Sequence, residues 1–206
     1  MIKKIEFIND IQISLAGQMS GDQSGRLHEK VIEHNIGLAY SSVLLDLYSK
    51  GFYNLDDYSK RFVQVAVTLD ATQNKYFSTL PDNIISFPRT GSGIVKILPI
   101  QGEQLQAVPI RSRDIELIRN LEVSQIDNTI KYALRGSTVE YVNMSIDVAA
   151  AGVNMDLVIP FSSYDYDDLV PIPHGQNDRI KGIAISMLMN NPIDEQFNNN
   201  NNKKVE

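Results

Sequence analysis

Thr129-Ile130-Lys131-Tyr132-Ala133-Leu134, then Gly136, then Val139-Glu140-Tyr141-Val142 is the stretch whose reading decides the fold. Branched and aromatic side chains suit the pleated surface of a sheet, and glycine takes the backbone angles of a tight turn, so the segment reads as strand, turn, strand. The same period-two pattern recurs toward the N-terminus in Phe62-Val63 with Val65, Val67 and Leu69, in Tyr76 to Leu80, in Ile94 to Leu98 and in Ala107 to Ile110. Toward the C-terminus it recurs in Met155 to Ile159. Gly91-Ser92-Gly93 is expected to be a hairpin turn, and within this middle region only Asp114 to Leu121 reads as helix.

Both flanks change to helical spacing. Ile2, Ile5, Ile8, Ile11 and Leu15 stand at three- and four-residue steps, although Ile11-Gln12-Ile13-Ser14-Leu15 also alternates as a strand would. A connection containing Gly17, Gly21 and Gly25 follows, and Leu27 to Lys50 is the clearest helix, with Gly51 as its cap. Tyr40, Val43, Leu44, Leu47 and Tyr48 make its second half apolar nearly all round, so that half must be covered on more than one side. After Pro171-Ile172-Pro173, residues Asn177 to Asn190 form a last helix with Ile180, Ile183, Ala184, Met187 and Leu188 on one stripe. The expected class is α+β, with N-terminal helices and a C-terminal helix packed on a small antiparallel β-sandwich or curled sheet. One domain is expected over residues 1–192, helical over 1–53, mainly β over 54–170 and helical over 174–190. Residues 193–206, with Asn198 to Asn202 in a row, read as a disordered tail.

Composition narrows the function. A chain of 206 residues with 43% apolar side chains can bury a sizeable core, and a net charge of −6 argues against a dedicated nucleic-acid face. With no cysteine there is no disulfide framework, thiolate zinc site or cysteine nucleophile. Glu6 and Asp10 interrupt what would be a signal peptide's apolar core, and no segment reaches the ~20 apolar residues of a spanning helix, so a soluble protein without membrane contact is expected.

Chemistry-bearing patterns are weak. His28-Glu29-Lys30-Val31-Ile32 opens like a metalloprotease helix, but Ile32 stands where the second ligand belongs, and His34 lies about 240° around the helix from His28. Asp165, Asp167 and Asp168 gather three carboxylates, yet lack the alternating oxygen ligands, glycine and closing glutamate of a calcium loop. A solvated or partner-facing loop is the expectation. The glycines match neither a phosphate-binding loop nor a nucleophile elbow, and Lys3-Lys4, Lys60-Arg61, Arg111 with Arg113, and Lys203-Lys204 lie on different elements. No catalytic residue, metal ligand or cofactor site is therefore assigned.

Two stretches carry a resemblance. Tyr76-Phe77-Ser78-Thr79-Leu80-Pro81-Asp82-Asn83-Ile84-Ile85-Ser86-Phe87-Pro88 followed by Gly91-Ser92-Gly93-Ile94 is one. Leu157-Val158-Ile159-Pro160-Phe161, the acidic loop, Pro171-Ile172-Pro173 and the helix ending near Asn191-Pro192 make the other. With Asn54-Leu55-Asp56 they give an order similar to that of head-to-tail connector (ring, neck or adaptor) proteins of tailed phages, of the crAss-like podovirus type. That resemblance implies a non-enzymatic virion protein, assembled in the host cytoplasm, forming a closed ring of about twelve copies. Its partners would be the portal, other connector or tail proteins, and genomic DNA passing without sequence-specific binding. Tyr40, Leu44, Leu47, Tyr48, Asp165, Asp167 and Asp168 are the residues expected at its interfaces. Another virion component, and a hydrolase built on the three aspartates, are the rivals.

Overall fold

The computed structural model describes residues 1–18, 28–51, 55–87, 92–101, 106–120 and 129–190. The expected tail at 193–206, the Gly21 and Gly25 connection and Gly91 lie outside the described residues. Contacts group the chain into two compact units, Met1–Leu47 with Tyr164–Glu206, and Tyr48–Ser163. The class is α+β.

The first unit is built on three helices, α1 (Lys4–Gln18), most of α2 (Glu29–Ser49), and α5 (Asn177–Asn190), with a two-stranded ladder of β1 (Ile2–Lys3) and β10 (Leu169–Val170). Residues 11–15 settle between helix and strand through Ile13. As a strand, Ile11, Ile13 and Leu15 would share a face, whereas Phe7, Ile8, Ile11 and Leu15 are buried and Ile13 is 71% exposed. In α2, Ile32, Ile36, Ala39, Tyr40, Val43 and Leu44 are buried. His28 precedes that helix and caps it, its Nδ1 accepting from the Lys30 N–H at 3.2 Å and its carbonyl accepting from Val31. Helix α5 buries Ile180, Ala184 and Leu188 at four-residue steps, with Ile183 and Met187 half-buried beside them. Two ion pairs hold α5, Lys181 to Asp10 of α1 at 2.8 Å and Arg179 to Asp46 of α2 at 2.7 Å.

Among its described residues the second unit holds two sheets. One has the order β2 (Lys60–Val65), β9 (Val153–Leu157), β5 (Ile94–Pro99), antiparallel throughout. Its middle strand buries Val153, Met155, Leu157 and, just beyond, Val158 and Ile159. Arg61 forks onto Asp156 with two hydrogen bonds of 2.7 and 2.8 Å, tying β2 to β9. The other sheet runs β3 (Thr68–Asp70), β4 (Lys75–Thr79), β8 (Thr138–Val142), β7 (Lys131–Arg135), β6 (Val108–Pro109). All its pairs are antiparallel except β6 with β7, which departs from the expected all-antiparallel sheet. Gly136 makes the β7–β8 turn at φ 61°. Tyr76, Tyr141 and Tyr132 stand opposite one another across three strands, and burial pushes the Tyr132 phenol up to about 12. On the opposite face Ile115 of α3 (Ile115–Asn120) packs with Ala133 and Val142.

Two expectations need correcting. A second helix, α4 (Ile146–Ala151), interrupts the β region. Ser145 caps its start by accepting from the Val148 N–H at 3.4 Å, three alanines propagate it, and Gly152 ends it at φ 84°. Gly93 is not part of a hairpin turn, because β5 pairs with β9 while β4 belongs to the other sheet. It is there for close approach: a Cβ at 93 would stand 2.5 Å from the Ile85 carbonyl oxygen and 3.0 Å from that of Val158.

Candidate interaction surfaces

The apolar half of α2 is covered by its own chain. Tyr40 is 1% exposed and its hydroxyl donates to the Pro171 carbonyl at 3.1 Å; Leu44 and Tyr48 are buried too, the latter with its ring 4.9 Å from that of Phe87. Leu47 is half-buried. Tyr40, Leu44 and Tyr48 were expected at an interface; here they are buried within the chain.

The acidic loop is placed differently. Asp165 and Asp167 are exposed and Asp168 is half-buried. The loop closes on itself, the Asp168 N–H donating to the Asp165 carbonyl at 3.0 Å and the Asp165 N–H donating to Asp168 Oδ2 at 3.1 Å. It then caps α1: the Lys4 N–H donates to the Asp168 carbonyl and the Ile5 N–H to the Tyr166 carbonyl, at 3.0 and 3.1 Å. Lys4 itself is buried, with Nζ 2.6 Å from both Glu33 and the Tyr164 carbonyl. Hydrogen bonding to Glu29 raises the Tyr166 phenol above its ordinary range. The three carboxylates do not converge, since one turns back onto its own loop and Asp167, 91% exposed, lies 3.6 Å from Lys3. Among the described residues no three His, Asp or Glu side chains come together as metal ligands would.

A cluster on the five-stranded sheet escaped the sequence reading. Glu140, central on β8 and 8% exposed at its side chain, receives Arg119 at 2.7 Å, Arg135 at 3.3 Å and Lys75 at 3.6 Å. Glu116 bridges Lys75 and Arg119, and the lysine hydrogen bond holds its carboxyl below the usual range. These pairs brace α3 against the sheet. The only sequence signal was a carboxylate in the middle of an otherwise apolar strand.

Open grooves lie on the second unit. One, about 640 Å³, runs along Arg61, Val63, Val65, Thr68, Thr79 and Pro81. Another, about 440 Å³, is walled by Pro109, Ile110, Tyr132 and Leu134, with Arg111 and Ser112 at its rim. Several of the edge strands are interrupted. β2 carries a bulge between Phe62 and Val65 with Gln64 at φ 57°, β5 a bulge between Ile94 and Lys96, and β6 has Pro109, which has no N–H to donate. No protein-family model matches the chain, and no curated protein is significantly similar to it.

Proposed function

We propose that this protein is a structural component of a tailed-phage virion, assembling as a closed ring in the head-to-tail connector, between portal and tail and around the passing DNA. What supports the reading is that the first resembling stretch and the opening of the second, Leu157 to Ser163, are bonded together inside the second unit. The Ile85 N–H donates to the Val158 carbonyl at 2.9 Å, the Val158 N–H to the Gly93 carbonyl at 2.8 Å, and Ser163 Oγ to Asp82 Oδ1 at 2.7 Å. A pattern of short motifs in a fixed order has a physical cause when the motifs are packing partners, because each then constrains the other. The interrupted edge strands fit as well: a ring must close through chosen patches, and free strand edges would compete by open-ended pairing.

The test is mass spectrometry of purified particles, joined to mass photometry of the recombinant chain. The expected result is the protein in particles at ring stoichiometry and a discrete oligomer in solution. A chain absent from particles and monomeric at high micromolar concentration would refute the proposal. So would a metal-dependent hydrolysis that disappears when Asp165, Asp167 and Asp168 are changed together to Asn.

A further inference from the structure

We infer that the groove beside β6 and β7 of one copy receives the acidic loop at Asp165–Asp168 of the next copy. The inference rests on the ring reading and names the contact through which the ring would close.

Charge complementarity carries it. Most described cations have a carboxylate at hand, but Arg111, exposed and lining the groove, has no ion-pair partner among the described residues, and neither has Lys30, which belongs to the other unit. Arg113, with a side chain 73% exposed, shares only Asp114 at 3.4 Å. On the other side, the Asp165 carboxylate is exposed and has no cation partner among the described residues, and Asp167 reaches Lys3 only at 3.6 Å. Exposed Glu6, Asp147 and Asp178 are unpaired as well among the described residues; the loop differs in setting its free carboxylate two residues from a second, weakly held one, as Arg111 stands two residues from Arg113.

Both surfaces are held in shape beforehand. The turn bearing Arg111 is pinned to β7 by Ser112 Oγ donating to the Leu134 carbonyl at 2.6 Å, and by the Ile110 N–H donating to the Tyr132 carbonyl at 2.8 Å. The loop is pinned by its bonds to the start of α1. Pre-ordered surfaces lose little conformational entropy on meeting. Pro109 also decides the kind of partner, because an edge without that N–H disfavours an added strand and favours a loop that offers side chains.

The two patches lie on different units, and the sequence divides its charge the same way. The loop's unit has thirteen acidic against eight basic residues, the groove's unit twelve against eleven. A contact between unlike patches is heterologous, the type that closes rings.

Arg111→Glu and Asp165→Lys, made in the full chain, test this by mass photometry over a concentration series. Each variant alone should weaken self-association at least about tenfold, and salt should weaken the wild type in the same direction. An equimolar mixture of the two should restore assembly, because each supplies the charge the other lacks. Both positions are exposed, and circular dichroism identifies any variant that fails to fold; Arg111→Ala and Asp165→Asn then replace it. Wild-type assembly by both single variants, or a loss that mixing does not restore, would overturn the inference while leaving the ring reading intact. A wild-type chain that never self-associates would overturn both. If Arg111→Glu lost retention of duplex DNA and left assembly unchanged, the groove would belong to phosphate and the inference would fall.

Discussion

Replacing Gly93 by alanine is the most direct challenge to the framework that joins the two resembling stretches. The new methyl would stand 2.5 Å from the Ile85 carbonyl oxygen, 3.0 Å from the Val158 oxygen and 3.2 Å from the Ile85 nitrogen, all of them backbone atoms. None can rotate away as a side chain would. Relief requires the segments to part by roughly an ångström, which stretches the bonds from Ile85 to Val158 and from Val158 to Gly93. Overpacking costs about 1–3 kcal/mol, and two weakened buried hydrogen bonds add about 1 kcal/mol each, so a loss of about 3–5 kcal/mol is expected. With a urea dependence near 2 kcal/mol per molar, the unfolding midpoint would fall by about 1.5–2.5 M. Gly182→Ala is the control: it lies in α5, nothing approaches its would-be Cβ within 4 Å, and it should gain about 0.5–1 kcal/mol. Urea titration followed by fluorescence and circular dichroism reads both. A Gly93→Ala midpoint equal to the wild type would refute the close-packing argument and remove the support it lends to the connector reading.

Ile180→Ala empties a fully buried position on α5 and should cost about 2–5 kcal/mol by thermal or urea unfolding, whereas a loss below 1 kcal/mol would mean that the helix is not docked within its unit. The Tyr132 phenol, pushed up to about 12 by burial from its ordinary 10.0, keeps its proton in the folded chain longer than in the unfolded one. Its contribution to stability is therefore complete below pH 10 and lost as pH rises from 10 to 12, and Tyr132→Phe should flatten that decline; a variant with an unchanged alkaline decline would count against the assignment.

Local signals were legible and non-local ones were not. The last helix reads from Asn177 to Asn190 in the sequence and stands at those residues in the structure, because one stripe, a preceding proline pair and length all agree. The β-rich middle was legible from its alternation, but its division into two sheets was not: β4 and β5 follow one another in the chain and belong to different sheets. Helix α4 was hidden among strands because its signal is small, a capping serine, three alanines and a glycine within eight residues. At the candidate surfaces, the three aspartates were visible as charge, but their use as the cap of α1 depends on a partner some 160 residues away. Tyr40 and Leu44 show the limit from the other side, since an all-round apolar helix looks the same whether its own chain or a neighbour covers it.

The clamp on α1 has a consequence for synthesis. Helices α1 and α2 are made before the loop that caps α1 and before Pro171, whose carbonyl takes the Tyr40 hydroxyl of α2. At translation rates of about 5–20 residues per second, the intervening segment takes on the order of ten seconds to emerge. Through that interval α1 waits without its cap and Tyr40 of α2 without its acceptor. The second unit, continuous in sequence, is free to fold during the same delay. Chains stalled before Asn177 should therefore be protease-sensitive at α1 and α2 while the strand-rich unit is already protected.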